Sequence, residues 1–98
     1  MHNFIIRIEL KNICPQTYNK LHSLLRKNGI HNIIQDTTTK IDYYLPKGLY
    51  QYTGLINSKD IMHYIVEIIV KKFVSVYEIT VIKSDGVCTS GLKKVRKK

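Results

Sequence analysis

Ninety-eight residues with 44% hydrophobic content, five glycines and two prolines suffice for one packed core and hardly for two. Sixteen Lys and Arg against seven Asp and Glu give a net charge of +9, which points to a polyanion, RNA or DNA first, because neutralised phosphates release counterions. Cys14 and Cys88 form no CxxC pair, which fits a reduced cytosolic chain, and "MHNFIIRIEL" is broken by Arg7 and Glu9, so neither a signal segment nor a membrane span is expected there.

The run "FIIRIEL" at 4–10 puts Phe4, Ile6, Ile8 and Leu10 on one side and Ile5, Arg7 and Glu9 on the other, the period of a half-buried strand. Pro15 suits a first helical turn. Tyr18, Leu21, His22, Leu24 and Leu25 recur at helical spacing before Asn28-Gly29, so a helix is predicted over 15–28. Three β-rich segments follow, "IHNII" at 30–34, "IDYYL" at 41–45 and "LYQYT" at 49–53, separated by "QDTTTK" and by a Pro46/Gly48 break. Ile61, Met62, Ile65, Val66, Ile69 and Phe73 then predict a second helix over 58–72, capped by Asn57 or Ser58. "YEITVIK" at 77–83 alternates as a last strand.

The order β-α-β-β-α-β predicts an α+β, ferredoxin-like split βαβ fold: an antiparallel sheet with two helices on one face. The domain is expected over 1–86, with a basic C-terminal tail over 87–98. The tail's "KKVRKK" carries five positive charges; the remainder holds eleven basic against seven acidic side chains, a net of +4. The tail reads as a disordered basic arm for phosphate or, equally, as a solubilising terminus, and "GVCT" before it as a segment able to add a strand to a sheet edge.

On this fold Phe4/Ile6/Ile8 and Tyr77/Ile79/Val81 face the helices. The open face then carries Ile5/Arg7/Glu9, Glu78/Thr80/Ile82 and Gln51/Thr53, and parity sends Tyr50 and Tyr52 inward. An aromatic base-stacking platform on the sheet is therefore not expected. Of Tyr43 and Tyr44, which point opposite ways, one is expected at the surface.

The seven acidic residues are scattered, and only Glu9 and Glu78 are placed to share the open face. Pairing with Arg7 and Lys side chains across the sheet is the reading favoured over metal binding. Metal-free RNA cleavage requires an acid-base group and a cation. The histidines available are His2, His22, His31 and His63, with His22 beside the core stripe of its helix, where a structural hydrogen bond is the simpler role. Phosphate-cradling glycine loops, zinc patterns and nucleophile elbows are absent, so no cofactor and no metal is expected.

The pattern Phe4-x-x-Arg7-x-Glu9-Leu10, Tyr18-x-x-Leu21-His22-x-x-Leu25-x-x-x-Gly29, Tyr44-Leu45-Pro46 with Tyr50 and Gly54, and Ser90-Gly91-Leu92-Lys93 resembles the small bacterial and phage proteins grouped with the GhoS antitoxin. The likeness spans most of the chain. It implies a ferredoxin-like fold related to the CRISPR-associated adaptation nucleases and, from the antitoxin itself, an endoribonuclease acting on the messenger of a membrane-acting toxin. The related nucleases use an Asp at the end of the first strand for metal, where this chain has Glu9 and, beyond it, Asn12.

Two functional expectations follow. One is an antitoxin-type, RNA-binding cytoplasmic homodimer, with Glu9 and His22 as candidate catalytic residues and Arg7, Arg26, Lys27, Lys93, Lys94, Arg96, Lys97 and Lys98 as candidate nucleic-acid contacts. The other is a mobile-element interaction protein, anti-CRISPR-like, that inhibits a host nucleic-acid-handling complex through a protein partner and without catalysis. In either case Ile5 and Ile82 on the open face favour a homodimer.

Overall fold

The computed structural model describes residues 1–86, 88 and 90–95. Alternation near the N-terminus yields β1 (His2–Leu10), with Phe4, Ile6 and Ile8 buried and Arg7 and Glu9 exposed on its other side. Pro15 opens α1 (Pro15–Lys27) after Cys14, whose extended backbone provides the N-cap without a side-chain bond. The missing N–H of proline costs nothing in a first turn. Gly29, at φ +79, ends the helix, with its N–H donating to the Arg26 carbonyl at 3.0 Å; only a residue without Cβ enters that left-handed region freely.

The middle of the chain forms β2 (Ile30–His31), β3 (Ile33–Gln35), β4 (Asp42–Tyr44) and β5 (Leu49–Gly54). Ser58 caps α2 (Lys59–Lys71) by accepting the Ile61 N–H at 3.4 Å, and β6 (Tyr77–Ser84) follows. The main sheet has the order β2-β5-β1-β6, with every neighbouring pair antiparallel. Hence β2 runs parallel to β1 with β5 between them, and β6 runs parallel to β5 with β1 between them. These are two split βαβ units, the ferredoxin-like α+β arrangement expected.

Both helices close on one face. Phe4, Ile6, Ile8 and Tyr50 from the sheet share a single buried cluster with Leu21 and Leu25 of α1 and Met62, Val66, Ile69 and Val70 of α2. Burying such side chains contributes about 1.5–3 kcal/mol each. Tyr77, Ile79 and Val81 pack partly buried against the same cluster, so the inward side of β6 is the one its alternation requires.

Four details depart from the sequence reading. The predicted strand over 30–34 breaks at Asn32. A straight strand would set Asn32 on the same side as Ile30 and Ile34, burying its amide in the core; the bend lets both isoleucines stay 1% exposed in different places. β3 therefore leaves the main sheet and pairs with β4 as a separate two-stranded ribbon. Its turn is organised by Asp36, whose Oδ1 accepts the N–H groups of Thr38 and Thr39. Next, Ile61 lies 52% exposed rather than in the core stripe, because the buried row of α2 runs through Met62, Val66, Ile69 and Val70. Ile61 stands about 100° round the helix from Met62. The helix bounds also tighten, to 15–27 and 59–71. Finally, part of the expected disordered arm is held: Lys93 O accepts the Tyr44 N–H, and the Val95 N–H donates to Asp42 O, so this segment extends the ribbon at the edge of β4.

Candidate functional site: a histidine cleft beside the sheet

The open face of the sheet has the expected composition. Ile5 stands opposite Ile82, Arg7 opposite Thr80 and Glu9 opposite Glu78. Arg7 and Glu9 approach to 3.8 Å, and with half or more of each side chain in solvent the pair adds little stability. Two carboxylates face each other at Glu9 and Glu78, and among the described residues no group of three or more His, Cys, Asp or Glu is placed to hold a metal. The face offers no stacked tyrosines. Tyr50 is 2% exposed, Tyr52 packs inward against Phe4 with ring centroids 6.2 Å apart, and Tyr44, not Tyr43, is the exposed member of its pair.

The chemistry gathers instead at one end of α1. Tyr18 and His22 lie four residues apart, hence on one helix face, and their rings stack with centroids 6.0 Å apart. Tyr50 reaches the same point from β5. Its inward parity carries the phenol through the edge of the core until the hydroxyl lies 3.3 Å from His22 Nδ1 and 3.3 Å from the Tyr18 hydroxyl. Burial, followed by the hydrogen bond to Tyr18, pushes the Tyr50 phenol well above its ordinary value, so it stays neutral. The His22 imidazole is shifted the other way. Partial burial disfavours its charged form, the Arg26 guanidinium one turn along α1 does so further, and the Asn32 side chain, which hydrogen-bonds the ring, opposes the fall. His22 is therefore a neutral imidazole near pH 7.

Lys47 completes the group. It sits in the turn between β4 and β5, where the Leu49 N–H donates to Pro46 O and the Ile8 N–H donates to Gly48 O at 2.8 Å. Gly48 has φ +88, and a Cβ there would stand 2.9 Å from the Ile8 carbonyl oxygen, so this close approach to β1 requires glycine. The turn holds the Lys47 ammonium 5.2 Å from the centroid of the Tyr18 ring, a cation–π contact. Ile13, Tyr18 and Lys47 form the common wall of two adjoining clefts. One, of about 450 Å³, is lined by Ile13, Tyr18, His22, Asn32, Leu45 and Lys47 among others; the other runs past Ile8, Glu9 and Gly48.

The residues expected to matter thus fall in different places. His22 lines one cleft and Glu9 the other, and Arg26 stands one turn along α1 from His22. Arg7 stands on the open face beside Glu9. Lys27 lines a separate groove with Lys20 and Phe73 on the other flank of α1, and Lys93 and Lys94 lie against β4. Arg96, Lys97 and Lys98 lie outside the described residues. Sequence reasoning missed Tyr18, Tyr50 and Lys47 as members of a polar site. The i, i+4 spacing of Tyr18 and His22 was available as a signal; the partners from the strand and the turn were not. No family model, curated protein or solved structure matches the chain.

Proposed function

We propose that the chain is an RNA-binding protein of the antitoxin type, akin to the GhoS group, acting in the cytoplasm as a homodimer. One observation carries this reading. Residues that support the resemblance and lie far apart in sequence, namely Glu9, Tyr18, His22, Leu45 and Tyr50, come together around the two adjoining clefts. Around the larger cleft stand the partly exposed His22 imidazole, the Tyr18 phenol and the Lys47 ammonium, three polar groups at one solvent-open mouth. Such a mouth suits the backbone of a single strand with a base splayed into the apolar part of the cleft, and the net charge of +9 favours phosphate. For the homodimer, the supporting feature is the Ile5–Ile82 pair on the open face, where Ile82 remains 56% exposed among polar neighbours.

The test is fluorescence anisotropy with a labelled single-stranded RNA carrying 2′-O-methyl groups, titrated with salt. Binding is expected to weaken as salt rises, to weaken further in Lys47→Ala and Arg26→Ala, and to survive removal of residues 96–98 with a shallower salt slope. Absence of binding by the full chain at low salt sinks the reading. Loss of all affinity with residues 96–98 alone reduces it to nonspecific electrostatics.

A second reading has its own support. Ile61, Tyr64 and Ile68 are 52%, 64% and 42% exposed at i, i+3 and i+7 on the outer side of α2, an apolar row of the kind that meets a protein partner. On that reading the chain inhibits a nucleic-acid-handling complex without catalysis, and Tyr64→Glu abolishes the inhibition while Lys47→Ala does not.

A further inference from the structure

We propose that β6 is a docking edge for a second copy of this chain: the two β6 strands pair antiparallel about a two-fold axis at Thr80, and the two sheets become one. The inference rests on the homodimer reading and names its seam, which lies at the margin of the open face beside Ile82.

The chain treats its sheet edges unequally. β2 is only two residues long, too short an edge to template another strand. The edge of β4 takes up Lys93 and Val95. β6, by contrast, runs for eight residues without proline or glycine, and its register with β1 is continuous from Tyr77 to Ser84. Among the described residues no strand lies beyond it. The C-terminal segment turns away toward the ribbon, with Cys88 Sγ 3.5 Å from Thr38 Oγ1 and Lys93 on β4.

The direction of the free backbone groups follows from the register. The Ile8 N–H donates to Gly48 O, so Ile8 turns its backbone toward β5 and, by alternation, Arg7 and Glu9 turn theirs toward β6. Their partners Thr80 and Glu78 answer them. Tyr77, Ile79, Val81 and Lys83 therefore direct N–H and C=O outward, along the edge. The side chains of this edge are also short of cover. Ile79 and Val81 are only partly buried, whereas Phe4, Ile6 and Ile8 of β1, flanked on both sides, are 0–4% exposed.

The occupant is a second copy because β6 is its own complement. Its first end is acidic on the helix side, where the Tyr77 hydroxyl donates to Glu67 Oε2 at 3.1 Å. Its last end is basic on that side, where Lys83 Nζ donates to Asn57 O at 3.4 Å. A two-fold axis at Thr80 sets Lys83 of the second copy opposite Tyr77 and beside Glu67, twice over by symmetry; a parallel arrangement sets like ends together. Lys71 and Lys72, which share a groove with Tyr77, are approached by Asp85 of the second copy, two positions beyond Lys83. Ile79 falls opposite Val81 and Thr80 opposite Thr80, cross-strand pairs that stabilise a sheet. On the open face Ile82, 56% exposed in the single chain, falls opposite Glu78, whose methylenes cover it.

Sedimentation velocity on the full chain is expected to show a dimer. Lys83→Glu sets like charges together at both ends of the seam and is expected to raise the dimer Kd about tenfold. Adding Glu67→Lys to that variant restores opposite charges and brings the Kd back, a rescue that a folding defect does not give. Both residues lie on the helix side, so a dimer stacked through its open faces is indifferent to the exchange. In a chain carrying Cys14→Ser and Cys88→Ser, Thr80→Cys is expected to form a disulfide-linked dimer on mild oxidation, since this pair of Cα atoms stands about 4.5 Å apart, within disulfide range; Ser23→Cys on the outer side of α1 is not. A dimer that withstands Lys83→Glu, or that fails to cross-link at Thr80, overturns the β6 seam and leaves the homodimer reading standing. A chain that stays monomeric at high concentration overturns both.

Discussion

Replacing Tyr50 by Phe isolates what the phenol hydroxyl contributes to the fold. The ring is 2% exposed and belongs to the central apolar cluster, and phenylalanine keeps that ring and its burial. What is lost is the pair of hydrogen bonds to Tyr18 and His22, each 3.3 Å and therefore at the long end of the useful range. A typical intramolecular hydrogen bond is worth about 0.5–1.5 kcal/mol net. The two partners are only half-buried and regain water when Tyr50 leaves, so no orphaned polar group adds to the cost. The expected destabilisation is about 1 kcal/mol, which in a domain of this size lowers Tm by roughly 4–8 °C. Tyr50→Ala removes the ring as well and costs about 3–5 kcal/mol, the range for emptying a buried aromatic site. Urea unfolding followed by circular dichroism measures both, provided m is unchanged. A Phe variant as unstable as the Ala variant, or one indistinguishable from the parent, refutes this account of the hydroxyl.

Stability should depend on pH through His22. Its folded-state value lies below the ordinary 6.5, so the unfolded chain binds more protons in that window and stability rises with pH. The His22 contribution is complete above about 6.5 and is lost as pH falls through the folded value; His22→Gln flattens this part of the acid-side decline, and a variant with an unchanged slope places the titration elsewhere. Ile82→Glu sets a charge on the open face beside Ile5 and opposite none of the core. Sedimentation velocity is expected to show a homodimer in the parent and a monomer in the variant with an unchanged melting temperature; a parent that stays monomeric at high concentration removes the open-face dimer.

The elements that the sequence made legible are those whose patterning had one solution. In β1, three large apolar residues alternate with Ile5, Arg7 and Glu9, and a slip of one position would bury two charges, so face and register followed together. The same parity argument places Tyr50 and Tyr52 inward. "IHNII" is ambiguous because a strand and a bent pair of strands use the same β-branched residues; the cost of burying the Asn32 amide, which decides between them, depends on what lies behind the strand. Ile61 is ambiguous for a related reason. A helix as apolar as α2 presents several overlapping stripes, and the one that meets the sheet is chosen by the sheet, leaving Ile61, Tyr64 and Ile68 outside. The docking of Lys93 and Val95 on β4 was hidden by local charge, which says nothing of an edge 50 residues away that lacks a partner.

The cleft was less legible than the fold because each of its members has an ordinary structural reason to be where it is. Tyr50 points inward because β5 alternates, and that same inward direction is what brings its hydroxyl to α1. His22 sits at the margin of the helix's buried face, where desolvation is partial: enough to favour the neutral ring, too little to remove it from solvent. Lys47 is bracketed by Pro46 and Gly48, and the turn they make is pinned to β1 by the Ile8–Gly48 bond, which fixes where the ammonium can go. Removing the polar tips would leave the packing nearly intact. The geometry of the core therefore fixes the geometry of the cleft without depending on it, and that is why substitutions at His22 and Lys47 are expected to change the polar lining of the cleft at little cost in stability.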